Sequence, residues 1–178
     1  MTKQALIDHI RAKKSYLCVG LDTDPSKLPA CVMSEEDPVF AFNKAIIDAT
    51  LPYCVSYKIN TAFYESYGLK GWHALERTIN YLNKCHPEIF TIADAKRGDI
   101  GSTMEAYGQA WLANSAPFVC DALTVNPYLG VGALSSAVAF ASDRGKGLFV
   151  LAATSNEEGK ALQTSMHEGL TVAAQVAR

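Results

Sequence analysis

No run of apolar residues in this 178-residue chain approaches the ~18 that a membrane-spanning helix requires. Met1-Thr2-Lys3-Gln4-Ala5-Leu6-Ile7-Asp8-His9 also lacks the apolar core of a secretory signal. The expectation is a soluble, cytoplasmic protein. Excess charge of one sign is missing too: 16 Lys and Arg stand against 18 Asp and Glu, a net charge of -2. That balance gives no general basic face for nucleic acid or a membrane surface, although a local basic pocket for a small anion remains open. The five cysteines, Cys18, Cys31, Cys54, Cys85 and Cys120, contain no C-x-x-C pair. An odd count without that spacing argues against a zinc site or a disulfide framework, so they read as buried thiols of a reducing compartment. A glycine-rich dinucleotide-binding turn is also absent, because Gly20-Leu21-Asp22-Thr23-Asp24 does not have the G-x-G-x-x-G spacing.

What the chain has is alternation. Thr2 is placed to cap a helix with Leu6, Ile7 and Ile10 on its apolar face. The run 15–21 then reads as a strand buried on both faces, and Asp37-Pro38 as a helix start. That helix runs to about Thr50. A strand is expected at 55–59, followed by a long helix carrying Trp72, Leu75, Ile79 and Leu82 and closed by Pro87. A third strand at 89–94, a helix over about 102–114 and a strand at 122–125 continue the pattern. A helix between Val131 and Asp143, a fifth strand at 147–152 and a last helical stretch near Val172, Ala173 and Val176 complete it.

Buried strands alternating with helices imply an α/β fold with a parallel sheet. Both an open doubly wound sheet and a (β/α)8 TIM barrel fit. Polar residues at the ends of several strands (Asp22, Lys58, Asp94 with Lys96, Asn126, and Thr154 with Ser155) favour the barrel, whose active sites form there. Residues 1–178 are read as a single partial (β/α)8 barrel domain holding about the first five βα units, where a closed barrel needs eight.

Asp94 and Lys96 stand two apart, so strand alternation puts both on the inward face. Unpaired charges there cost several kcal/mol, on the order of a buried ion pair. Asp99 follows on a turn that Gly98 permits, Lys58 approaches from the neighbouring strand, and Asp22 joins from a third. An ion-pair network that merely braces the barrel mouth is the plain alternative. An array of lysines and aspartates also suits a reaction that builds negative charge on carbon, since a lysine can stabilise and then protonate a carbanion. Taken singly, Asp22 could cap a turn, Thr103 could open a helix and Asn126-Pro127-Tyr128 could shape a loop. Tyr57, Tyr64 and Trp72 read as packing residues. His9, His73, His86 and His167 read as solvated or capping.

The segment Ile92-Ala93-Asp94-Ala95-Lys96-Arg97-Gly98-Asp99-Ile100-Gly101-Ser102-Thr103 resembles the D-x-K-x-x-D-I-x-x-T signature of the orotidine 5'-phosphate decarboxylases, in the form of their longer bacterial subgroup. Gly20-Leu21-Asp22, Tyr57-Lys58-Ile59-Asn60 with Phe63-Tyr64-Glu65, the run 124–130 and Thr154-Ser155-Asn156 also match the family's strand ends in order. The resemblance implies a homodimeric barrel that converts orotidine 5'-phosphate to uridine 5'-phosphate with no cofactor and no metal. By that resemblance Asp22 and Lys58 would bind the ribose hydroxyls, and Asp94 would lie beside the substrate carboxylate. Lys96 would protonate C6, and Ser155 would contact the pyrimidine edge. Asp99, Ile100 and Thr103 would reach into the partner subunit's site.

The family's phosphate-gripping glutamine and arginine come from the last two strand–loop units and have no counterpart here. The expectation is therefore a fragment of a longer protein or a truncated product with little activity. Other readings are a metal-dependent sugar-phosphate decarboxylase sharing the D-x-K-x-x-D core, a Schiff-base aldolase using Lys58 or Lys96, and a partial barrel without catalysis.

Overall fold

Thr2 opens the first helix by accepting a hydrogen bond from the Ala5 N–H at 3.2 Å, which satisfies one orphan amide of the first turn. The computed structural model describes residues 1–178, and this helix, α1, spans Lys3–Lys13. β1 (Cys18–Gly20) leads through two short 3-10 turns to α2 (Pro38–Thr50), capped by the Asp37 carboxylate. β2 (Ser56–Asn60) runs straight into α3 (Thr61–Glu65), and α4 (Gly68–Cys85) follows. One face of α4 buries Ala74, Leu75, Thr78, Ile79 and Leu82, the spacing of an amphipathic helix on a sheet. Then come β3 (Phe90–Arg97), α5 (Gly101–Leu112), β4 (Ala122–Val125), α6 (Ser135–Asp143) and β5 (Gly147–Val150). Past β5 lie α7 (Lys160–Gln163), the two-residue strands β6 (Met166–His167) and β7 (Leu170–Thr171), and α8 (Val172–Val176).

β1 to β5 form one parallel sheet in the order β1-β2-β3-β4-β5. A doubly wound sheet reverses direction beside its first strand, whereas successive barrel staves add in sequence order. The chain is thus five consecutive units of the (β/α)8 pattern. β6 and β7 pair with each other as a separate antiparallel hairpin. A core cluster of 23 buried residues, including Ile47, Tyr57, Ile59, Leu75, Leu82, Met104 and Leu123, joins α2, α4, α5 and α6 to the sheet. No helix is long and apolar enough to cross a membrane.

Several expectations change. The run 15–21 is not buried on both faces: Tyr16 is 86 % exposed, and within β1 Cys18 and Gly20 are also exposed. β1 is an edge strand with one neighbour, so nothing covers its far side. β5 is the other edge and stops at Val150, with Phe149 and Val150 exposed. β3 continues past Asp94 to Arg97. The 131–143 helix divides into a 3-10 turn and α6. Only Cys54 and Cys120 are buried; Cys18, Cys31 and Cys85 are exposed, and all five are free.

Candidate active site

Lys58 sits on β2 opposite Gly20 of β1, and Asp94 sits on β3 opposite Asn60. Parallel register therefore brings three adjacent strand ends to one point. The Lys58 ammonium donates to Asp22 Oδ1 at 3.2 Å and to Asp94 Oδ2 at 3.2 Å. Lys96 Nζ donates to the other Asp94 oxygen, Oδ1, at 2.6 Å. The result is a continuous array Asp22–Lys58–Asp94–Lys96 across β1, β2 and β3. Asp94 is its buried centre at 8 % exposure, while the Lys96 side chain is half-exposed.

Simple alternation does not deliver Lys96 to this place. Ala93 pairs with Leu123 and Arg97 with Val125, so four steps along β3 match two along β4. The extra residues form a bulge, which re-aims side chains and often adjoins active sites. Within it Lys96 adopts φ +49°, a left-handed conformation costing a non-glycine residue on the order of 1 kcal/mol. Thr124 holds the bulge: its Oγ1 accepts from the Lys96 N–H at 2.9 Å and its hydroxyl lies 3.0 Å from Asp94 Oδ1, donating to it. Sequence reasoning gave Thr124 no role. The available signal was a hydroxyl inside the otherwise apolar run Ala122-Leu123-Thr124-Val125, all of it buried. One step on, Arg97 pairs with Glu65 of α3 and lies 5.5 Å from the Tyr107 ring, tying the strand end to two helices.

Burial alone pushes the Asp94 carboxyl up, but the Lys96 ammonium, Lys58 and the Thr124 hydroxyl outweigh it and hold it below the ordinary carboxylate value. Burial likewise pulls Lys58 down, and Asp22 and Asp94 reverse that, leaving it above the ordinary lysine value. The site thus keeps a desolvated carboxylate ionised between two ammonium groups. A substrate anion placed against Asp94 meets repulsion, while Lys96 can deliver a proton beside it.

The remaining candidates lie apart from this array. Asp99 accepts from the Ile100 N–H at 2.7 Å and is joined to no member of it. Ile100 is 62 % exposed, and Thr103 is exposed on the first turn of α5. Ser155 is exposed in a loop that Thr154 and Gln163 close through reciprocal hydrogen bonds. Beside Asp22, a hollow of about 340 Å³ is lined by Leu21, Leu28, Ile46 and Phe63. Beyond β4 and β5 another, of about 400 Å³, is lined by Asn126, Tyr128, Leu151 and Thr154. Tyr57 and Tyr64 are buried as packing requires, and both also use their hydroxyls. No three potential metal-ligating side chains cluster.

Residues 15–178 match the family model described as the orotidine 5'-phosphate decarboxylase / HUMPS family. The chain belongs to that family. It is 52 % identical over 157 residues to the orotidine 5'-phosphate decarboxylase of Phocaeicola vulgatus, covering 88 % of this chain and 56 % of that protein. With the Flavobacterium johnsoniae enzyme it shares 50 % over 176 residues, 99 % of this chain and 62 % of the relative. Among solved structures, a putative orotidine 5'-phosphate decarboxylase from Streptomyces avermitilis superposes with TM-score 0.86 at 38 % identity. That match covers 98 % of this chain and 62 % of the other. A Toxoplasma gondii structure of like description gives 0.85 at 37 %, covering 99 % and 57 %. The chain therefore spans rather more than half the length of these four relatives.

Proposed function

We propose that this chain carries the charged part of an active site that decarboxylates orotidine 5'-phosphate to uridine 5'-phosphate. The observation that carries the reading is the Lys58–Asp94–Lys96 arrangement, a buried anion flanked by two cations with one cation open above it. In this reading Asp22 and Lys58 bind the ribose hydroxyls, and Asp94 lies against the substrate carboxylate. The bond from C6 to the carboxylate breaks, its electron pair stays on C6, and carbon dioxide leaves. Lys96 stabilises the developing carbanion and gives it a proton, which the amine regains from solvent. Neither a cofactor nor a metal is needed, because the ammonium supplies both charge stabilisation and proton. The repulsion between Asp94 and the bound carboxylate is a ground-state contribution, a contested form of catalysis.

The proposal extends to assembly and setting. Asp99, Ile100 and Thr103 lie outside their own array and are open to solvent or half-buried. Their placement suits a homodimer in which each chain completes the other's pocket, with Ser155 at the pyrimidine edge. Residues 1–178 act as one partial barrel domain. A phosphorylated nucleotide does not cross membranes unaided, which supports a cytoplasmic setting.

The test is release of carbon dioxide from orotidine 5'-phosphate by the full-length protein, with and without chelator. Turnover insensitive to chelator supports the reading. Turnover that chelator abolishes points to a metal-dependent sugar-phosphate relative, and borohydride trapping of substrate on Lys58 or Lys96 would point to an aldolase. For the shared site, inactive Asp99→Ala subunits are mixed with inactive Lys96→Ala subunits. A hybrid dimer then holds one site with both native residues, and recovered activity is expected. No recovery despite verified subunit exchange puts Asp99 in its own subunit's site.

A further inference from the structure

Behind Asp22 runs a closed chain of buried polar groups. The Thr23 hydroxyl donates to Asn43 Oδ1 at 2.5 Å. Asn43 Nδ2 donates to the Tyr64 hydroxyl at 2.9 Å and to Thr78 Oγ1 at 2.9 Å. Tyr64 passes its own proton to the Leu21 carbonyl at 2.8 Å, and Thr78 passes its to the Ala74 carbonyl at 2.7 Å. All four side chains are buried, and Asn43 is wholly so. Each side-chain hydrogen has one acceptor, so the network has a single direction. Such a network is costly to leave half-made and rigid when complete. Burial pushes the Tyr64 phenol up to about 12, so it remains a donor at neutral pH.

The network grips the two residues on either side of Asp22. Leu21 is fixed twice, by Tyr64 at its carbonyl and by the Lys58 carbonyl, which accepts from its N–H at 2.9 Å. Thr23 is fixed through Asn43. Asp22 itself is exposed, and its carboxylate contacts only the Lys58 ammonium, at 3.2 and 3.4 Å. An exposed aspartate on a loop ordinarily loses such a pair to water and to its own rotamers. We infer that Asn43 and Tyr64 are positioning residues that hold the Leu21-Asp22-Thr23 backbone so that Asp22 meets Lys58, and thereby set the geometry of the ribose end of the site. The link from Asp22 to ribose rests on the decarboxylase reading. The link from the network to the Asp22–Lys58 pair does not.

Lys58 reports on the pair directly. Its side-chain titration is followed by heteronuclear NMR of the full-length protein, with far-UV circular dichroism as the check on folding. The Lys58 midpoint is expected to move down in Asp22→Asn. It should move the same way in Tyr64→Phe, which keeps the ring and removes one hydroxyl, and no further in the double variant. A native circular dichroism spectrum with an unmoved Lys58 midpoint in Tyr64→Phe overturns the inference and leaves the network a structural brace. Should Tyr64→Phe fail to fold, Thr23→Val against Thr23→Ser decides: the valine lowers the midpoint and the serine restores it, or the inference falls. A second arm compares binding of uridine and 2'-deoxyuridine monophosphates. Loss of discrimination in Tyr64→Phe supports the ribose link. No discrimination by the native full-length protein removes that link and counts against the decarboxylase reading, while the Lys58 titration still decides the positioning role.

Discussion

Lys96 holds three features at once: an ion pair with the buried Asp94, a left-handed backbone and a half-exposed ammonium. Made in a full-length version of the protein, Lys96→Ala is expected to keep the fold and abolish decarboxylation in steady-state assays. Retention of more than a tenth of turnover, a loss below ~1.4 kcal/mol, would contradict the proton-donor role proposed for it. Thr124→Val keeps shape but strands the Lys96 N–H and takes one donor from Asp94. It should lower the urea midpoint by an amount worth ~1–3 kcal/mol and raise the Asp94 carboxyl. An unchanged midpoint would show that the bulge holds itself. The charges also set a pH window. Asp94 titrates below its unfolded value when folded, so its contribution to stability is present above ~3.9 and is lost as pH falls through the lower folded value. Lys58 titrates above its unfolded value, so its contribution persists below ~10.4 and is lost as pH rises through the raised one. Denaturation midpoints measured across pH should therefore fall at both extremes, and Asp94→Asn should flatten the acid limb.

At the scale of elements, the site depends on how closely β3 and β4 end together. A Cβ on Gly98 would stand 2.3 Å from the Asn126 carbonyl oxygen, so only glycine lets the turn after β3 cross the end of β4. Gly98→Ala must push those ends apart, at a cost of ~1–3 kcal/mol for an overpacked contact. Turnover should fall with it, because the same displacement moves Lys96 and Thr124. Calorimetry of the variant gives the check, and a native melting temperature would show that the turn absorbs the methyl elsewhere. The short helix α3 does related work on the other side. Its Asn60 cap, Tyr64 and Glu65 connect the end of β2 to β1, α2 and β3. Five residues are too few to show a helical period, so no sequence pattern marks it.

For the whole molecule, the two outer strands matter most. β1 and β5 each have one neighbour, and Tyr16 and Phe149 beside and within them are exposed at 86 % and 49 %. Bare parallel edges with apolar side chains invite pairing with other chains. Residues 1–178 expressed alone are therefore expected to self-associate in sedimentation velocity. On the proposed decarboxylase reading they should also bind uridine monophosphate weakly, because the glutamine and arginine that the family resemblance implies as a phosphate grip are expected outside them. A monodisperse species with micromolar affinity, about -8 kcal/mol, would mean that these residues close on themselves or contain a phosphate site of their own.

Much of this was legible from residue order. Helix caps at Thr2 and Asp37, the 3.6-residue face of Leu75, Ile79 and Leu82, and the apolar run 122–125 mark their elements because local backbone chemistry and burial act within a few residues. The D-x-K-x-x-D spacing likewise marked Asp94 and Lys96 as a unit, and strand-end placement brought in Asp22 and Lys58. Tertiary structure decided the rest, because it depends on partners distant in sequence. The β3 bulge exists through the mismatch with β4 and the Thr124 hydroxyl, so alternation named the right pair for an incomplete reason. Exposure of β1 and β5 follows from their place at the sheet edges, which hydrophobicity cannot report. Asn43, Tyr64 and Thr78 lie far apart in the chain, and only the packing of α2, α3 and α4 against the loop after β1 turns three ordinary helix residues into a buried hydrogen-bonded clamp.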